Sequence, residues 1–228
     1  NMFPVQWMVA PTLQLRLITE SCFQCISVGE TTRTRIWSCS VIFPRNTTVS
    51  GGVDTSGWFL DIGANIGTTC IYFKKSIDPG VRIIAFEPDS DNYRLLRANL
   101  ILNAIDGEAV AENCGLGDES SEYVIHKDSL NPGGNSIFKD YGQSSEVVHV
   151  VSLDSYLQEK GISSDEIKYM WIDTEGFEPY VLQGAASTLA NHPIPVFMEF
   201  NPHLWEQGGC FDLVMEILPR YYTGYIMA

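Results

Sequence analysis

Five polar side chains stand at the ends of five short apolar runs: Asp61, Glu87, Asn113, Asp173 and Glu199. A carboxylate in such a place can accept two hydrogen bonds at once, balance a cation or take up a proton. The first of them opens a glycine turn, Asp61-Ile62-Gly63-Ala64-Asn65-Ile66-Gly67, ahead of a helical segment. Glycine has no Cβ, so backbone at such a turn can lie close to a ligand, and the helix start that follows offers unpaired N–H groups. A dinucleotide fingerprint has the spacing GxGxxG, whose middle glycine admits the pyrophosphate. Here the spacing is GxxxG beside an acid, which repels a pyrophosphate. S-adenosylmethionine has no phosphate and carries a sulfonium and an ammonium, so it suits the turn better than NAD does. Glu87 lies beyond the next run, where an acid commonly accepts both hydroxyls of an adenosine ribose. Asn113, or the backbone beside it in NCGLGD, is placed to read the adenine edge.

Such a set of residues needs a scaffold that brings strand ends together. From residue 58 onward the chain alternates apolar runs with helical patterns, the rhythm of an α/β fold with a parallel sheet. Strands are expected at 58–61, 82–87, 108–113, 167–173 and 195–200, with a last one in YYTGYIMA. Helices are expected at 66–76, 90–103, 154–160, 177–190 and 210–218, the second with Leu95, Leu96, Leu100 and Leu102 on an apolar face. In an open parallel sheet the ligand crevice lies outside the carboxyl ends of the strands, where the five polar residues fall. Residues 114–152 break the rhythm with two β-like runs, SEYVIHKD and EVVHVVSL, read as an inserted antiparallel hairpin with a mobile loop, NPGGNS, at its tip. Residues 1–57 are read as an N-terminal cap on the substrate side, with a strand pair near 24–28 and 35–43, and residues 58–228 as the ligand-binding domain.

Composition narrows the partners. The chain has 228 residues, 45% hydrophobic and 18% charged, with a formal charge of −14, which disfavours nucleic acid because phosphate binding rests on clustered Lys and Arg. No apolar run reaches the length of a membrane span, and no signal peptide is evident at the N-terminus. Of the six cysteines only Cys22 and Cys25 form a CxxC, without a second pair, so the thiols are expected to be reduced and the protein cytoplasmic. No metal is expected, since no His/Cys/Asp set shows ligand spacing.

DIGANIG, AFEPDSDNYRLLRANLILN, VSLDSYL, WIDTEGFEPYVLQGA and MEFNP, in this order, make residues 55–205 resemble the FkbM family of methyltransferases. The pairing of DIGANIG with IDTEGFE and with Gly184–Ala185 is the most specific part. The resemblance implies a class I methyltransferase, Rossmann-like fold with a mostly parallel seven-stranded sheet and helices on both faces. It implies an enzyme that uses S-adenosylmethionine, releases S-adenosylhomocysteine and typically O-methylates a sugar, polyketide or other small metabolite. By the same resemblance the cofactor positions are Asp61, Gly63, Ala64, Asn65, Gly67, Glu87, Pro88, Asn113, Gly115 and Asp173, and the second acidic motif is Asp173, Glu175 and Glu178. Two departures stand out. Thr174 replaces a valine-like residue, and YYTGYIMA supplies one strand where the fold needs a terminal hairpin, so one strand is expected to be missing or replaced.

Methyl transfer is an in-line displacement, helped by positioning and by a base for the hydroxyl proton. Asp173, Glu175 and Glu199 are the candidate bases. His126 and His203 are weaker ones, and His149 reads as a strand residue with a satisfied ring. The plainer role for Glu175 or Glu178 is to complement the N-terminus of the next helix. Trp58, Tyr169 and Trp171 read as core, whereas Tyr93, Phe138, Tyr141 and Trp205 are expected near the mouth. The competing functions are a catalytically silent methyltransferase-like binding domain and a nicotinamide-dependent oxidoreductase, the latter opposed by the glycine spacing.

Overall fold

A run of apolar residues with period-two alternation forms a strand, and two such faces need helices on both sides to be buried. The computed structural model, which describes residues 39–44 and 57–227 apart from 129, 131 and 193, follows that logic. Its strands are β1 (Cys39–Pro44), β2 (Trp58–Ile62), β3 (Arg82–Phe86), β4 (Ala109–Glu112), β5 (Gly115–Gly117), β6 (Ser121–His126), β7 (Ser145–Ser152), β8 (Ile167–Ile172), β9 (Val196–Glu199) and β10 (Tyr222–Met227). The helices are α1 (Thr68–Tyr72, continued by a π-turn Phe73–Ile77), α2 (Ser90–Leu102), α3 (Leu153–Lys160), α4 (Glu178–Gly184), α5 (Ala186–Asn191), α6 (Pro202–Gln207) and α7 (Phe211–Tyr221).

The main sheet has the order β10-β1-β9-β8-β2-β3-β4. Strands β9, β8, β2, β3 and β4 are parallel neighbours, whereas β1 runs antiparallel to both β9 and β10. The position left open by the single C-terminal strand is therefore filled by β1, from the segment read as a cap. That moves the boundary drawn at residue 57: Cys39–Pro44 belongs to the sheet. The strand pair expected near 24–28 and 35–43 otherwise lies outside the described residues.

Alternation divides the core. Leu60, Ile62, Ile84 and Phe86 pack on the side of α3, α4 and α7. Phe59, Ile83 and Ala85 pack on the other side, with Cys70, Leu96 and Leu100 of α1 and α2. Leu95 and Leu102, expected on the buried face of α2, are instead 53% and 80% exposed. The single helix expected at 177–190 is two, joined at Ala185. Gly184 is the last residue of the first, and a Cβ there would collide with the Gly117 carbonyl of β5. That contact gives the Gly184–Ala185 pair a structural reason. Helix α6 was not foreseen.

The inserted segment is more than a hairpin. β6 and β7 pair antiparallel, and β5 adds to β7 in parallel, making a separate three-stranded sheet. Its connecting loop folds back: Ser136 and His126 exchange backbone hydrogen bonds of 2.9 and 3.1 Å, and Ser136 is buried. Among the described residues no helix is long and apolar enough to cross a membrane.

Candidate active site

The strand order reverses between β2 and β8, the switch point at which open α/β sheets form a crevice. A pocket opens there, lined on its polar side by Gly63, Asn65, Glu87, Asp173, Thr174 and Glu175. The small sheet and its loop supply the apolar side through Leu116, Ile125, Ile137, Val148 and Val150, with Phe177 from the segment after β8. Among the described residues that line it there is no Lys, Arg or His.

The turn after β2 is held by backbone. Gly63 and Ala64 N–H both donate to the Phe86 carbonyl, at 3.0 and 2.9 Å, and Gly67 N–H donates to the Ala64 carbonyl. Gly63 has φ +83°, and a Cβ there would strike the carbonyl oxygen of Asp173. Only glycine satisfies both the left-handed conformation and the close approach of β8. Asn65 also has a positive φ, +49°, which aims its N–H at Glu87 Oε2, 2.7 Å away. Glu87 Oε1 accepts from Asp89 N–H at 2.9 Å. Each oxygen of Glu87 thus holds one backbone donor and keeps acceptor capacity toward the pocket.

Of the expected cofactor positions, Gly63, Asn65, Glu87, Pro88, Gly115 and Asp173 line the pocket. Asp61, Ala64, Gly67 and Asn113 do not, and each has a positioning role instead. Asp61 shares the parity of Phe59, so it turns to the α1 side, where its Oδ2 accepts the Cys70 thiol at 2.9 Å. Its Oδ1 is buried without a hydrogen-bond partner among the described residues. Ala64 is buried in the turn, and Gly67 packs against Leu96. Asn113 does not face the pocket: its Nδ2 donates to the Glu87 and Pro88 carbonyls at 2.9 and 3.1 Å, clipping the end of β3 in place.

Among the candidate bases, Asp173 and Glu175 line the pocket and Glu199 does not. Glu199 ends β9, one strand further out, and its Oε1 accepts from Asn201 at 3.3 Å. Glu178 has the plainer role. It is fully buried, with Oε1 accepting from Thr174 N–H, Thr174 Oγ1 and Gly176 N–H, and Oε2 accepting from the Trp205 indole at 2.7 Å. Thr174, the departure from the family pattern, therefore gives Glu178 a hydroxyl donor that valine lacks.

None of His126, His149 and His203 lines the pocket. His149 is a strand residue, as expected, and is exposed on the outer face of β7. His126 Nδ1 is 3.4 Å from Asp140, and His203 meets Gln207 at the surface. The aromatic residues expected at the mouth do not line the pocket either. Trp205 is buried core, Tyr93 reaches the Ala111 carbonyl, and Tyr141 donates to the Gly134 carbonyl.

The carboxyl groups are electrostatically unsettled. Burial pushes Asp61 up to about 6, against the pull of the Cys70 thiol. Burial takes Glu87 to about 7, opposed by the Asp89 and Asn65 N–H groups and assisted by the charges of Asp89 and Asp61. Asp173 is raised to about 8 by desolvation and then by Glu178, Glu175 and Asp61. A cleft that collects several acids and, among the described residues, no basic side chain is poised to bind positive charge. Among the described residues no group of His, Cys, Asp or Glu is arranged to hold a metal ion.

Several functional residues carried little signal in the sequence. Val148, Val150 and Ile125 form the apolar wall, and their period-two alternation was the available clue. Asn135 also lines the pocket. Its Nδ2 reaches Asp89 at 3.3 Å and its Oδ1 accepts from Asp128 N–H, so the loop expected to be a free tip is pinned over the cleft.

Methyltransferase sdnD of Sordaria araneosa is 32% identical over 80 residues, 35% of this chain and 30% of that protein. The crystal structure of methyltransferase FkbM from Methylobacillus flagellatus superposes with a TM-score of 0.52 at 17% identity, covering 79% of this chain and 46% of that one. The chain thus spans less than half the length of either relative, and the structural likeness is one of fold. The sequence profile of the methyltransferase FkbM domain matches residues 61–227, nearly all of the described fold, and the chain belongs to that family.

Proposed function

We propose that the protein is an S-adenosylmethionine-dependent methyltransferase that methylates a hydroxyl of a small metabolite or sugar. The observation that carries this reading is the pocket at the switch point, lined by Glu87, Asp173 and Glu175 and, among the described residues, by no basic one. A nicotinamide dinucleotide would set its pyrophosphate among these acids. A sulfonium and an ammonium instead relieve their mutual repulsion. When bound, S-adenosylmethionine supplies an electrophilic methyl group and leaves as neutral S-adenosylhomocysteine.

The residues have separable roles under this reading. Glu87 accepts the ribose hydroxyls through the capacity its two backbone donors leave free. Gly115, Leu116 and Val150 give the adenine an apolar wall. Gly63 keeps the turn close to β8, so that donor and acceptor are held in line. Asp173 bears the positive charge of the methionine end. Positive charge in the pocket lowers the Asp173 pKa, and the ionised Asp173 or Glu175 takes the hydroxyl proton as the O–C bond forms. Asp61 acts at one remove, through Cys70 and the turn.

Incubation of the protein with methyl-labelled S-adenosylmethionine and a pooled extract of hydroxylated metabolites tests the proposal. Label in base-stable methyl ethers, reduced at least about a hundredfold by Asp173→Asn in line with the loss of a general base, is the expected outcome. Label confined to nitrogen would overturn the O-methylation part.

A further inference from the structure

Beyond the cofactor pocket, one wall leads outward. Phe177 lines the pocket and is buried, and three partly exposed rings surround it: Tyr123 at 5.2 Å, Tyr180 at 4.8 Å and Phe138 at 5.6 Å between centroids. Tyr123 pairs in register with Val148, another pocket residue, so its ring lies on the pocket face of the small sheet. Phe138 is seated against Gly176 and Gly208, where a Cβ would approach its ring at 3.3 and 2.9 Å. The rings therefore form a continuous platform from the cofactor pocket to the surface, beginning two residues after Glu175.

A carboxylate stands at this platform. Asp118 follows Gly117, whose missing Cβ would lie 2.9 Å from the Phe177 ring. Its Oδ1 is buried and accepts no hydrogen bond from any described residue. Its charge acts on the phenols of both Tyr123 and Tyr180, adding to the effect of burial in raising their pKa values. Both phenols therefore stay neutral. Glu119, the next residue, is exposed, and its charge also acts on the Tyr123 phenol.

Building on the methyl-transfer reading, we infer that Tyr123, Phe138 and Tyr180, with the Asp118 carboxylate beside them, form the acceptor side of the site and select an acceptor bearing a positively charged nitrogen. Ring faces attract a cation through their quadrupoles, and a half-buried carboxylate adds a charge-assisted partner. Acceptors with carboxylate or phosphate groups are repelled by the same carboxylate. The hydroxyl to be methylated then lies on the pocket side of the cation, toward Asp173 and Glu175.

The test compares choline with its neutral carbon analogue 3,3-dimethylbutanol, titrated against protein saturated with S-adenosylhomocysteine so that the acid pocket is filled. Wild type should bind choline at least about tenfold more tightly than the analogue, in keeping with several cation–π contacts beside a carboxylate. Asp118→Asn, which keeps the side-chain shape, should bring the ratio below about threefold, and Tyr180→Ala should weaken choline more than the analogue. Equal affinities in wild type, or a preference that survives Asp118→Asn in protein with an unchanged melting curve, overturn the inference. Binding of S-adenosylhomocysteine is read in the same titrations. Its loss in wild type strikes the cofactor reading, whereas retained binding without cation preference strikes only the acceptor assignment.

Discussion

Gly63→Ala is the substitution that most directly probes how the turn is built. Two costs add at this position. The backbone sits at φ +83°, where a Cβ clashes with its own peptide, an expense of about 1–2 kcal/mol. The same Cβ would also meet the carbonyl of Asp173, which belongs to the end of a central strand and cannot rotate away. Overpacking of that kind costs a further ~1–3 kcal/mol, so the total is about 2–5 kcal/mol. Gly161→Ala is the control: Gly161 has φ +65° but nothing within 4 Å of its Cβ position. It should lose only the conformational part, about 1–2 kcal/mol. Urea denaturation of both variants, read at the transition midpoint with the slope checked for constancy, isolates the steric difference. If Gly63→Ala proves no less stable than Gly161→Ala, the close approach of β2 and β8 at the turn is refuted.

Other expectations follow from the buried acids and their partners. Cys70→Ala removes the thiol donor to Asp61 Oδ2 and should cost about 1–3 kcal/mol, measurable by the same denaturation; a variant as stable as wild type would contradict the thiol's role. Glu178→Gln puts an amide against the three donors on Oε1 or the indole on Oε2, and should cost about 2–3 kcal/mol while lowering the melting temperature. Stability should also depend on pH in a stated direction. Asp61, Glu87 and Asp173 are raised to about 6, 7 and 8, so the folded state holds their protons more tightly than the unfolded chain does. Their contribution is complete below pH ~4 and is lost as pH rises through 6 to 8. The melting temperature of the ligand-free protein should therefore fall between pH 5 and 8.5, and an increase over that interval would refute the assignment.

Much of the scaffold was legible because its signals are local. The apolar runs ending at Asp61, Glu87, Asp173 and Glu199 became parallel strands, and Gly63, Glu87 and Asp173 meet where the strand order reverses. What the sequence did not disclose depends on parity and on long-range pairing. Asp61 differs from its pocket-lining neighbour Ile62 by one residue, and that single step turns it to Cys70. Asn113 has the right type and place to read a base, yet the nearby Glu87 and Pro88 carbonyls capture its amide. Glu199 ends a strand as the others do, but β9 lies one position away from the switch point. The placement of β1 between β9 and β10 rests on pairing across more than 150 residues, which no local pattern encodes. Glu178 read as part of an acidic motif or as a helix N-terminal acid, and Trp205 as a mouth aromatic. Their mutual hydrogen bond, buried on both sides, makes them part of the core.

The central claim is that the acidic pocket exists to receive a cationic nucleoside. Isothermal titration of the protein with S-adenosylmethionine and with NAD at pH 7.5, repeated in buffers of different ionisation enthalpy, tests it most directly. Asp173, with a pKa of about 8, is largely protonated at that pH in the empty pocket. Binding of a cation should therefore expel a fraction of a proton, so S-adenosylmethionine should bind with proton release and NAD should give no saturable heat. Saturable NAD binding, or no binding of S-adenosylmethionine, would contradict the account.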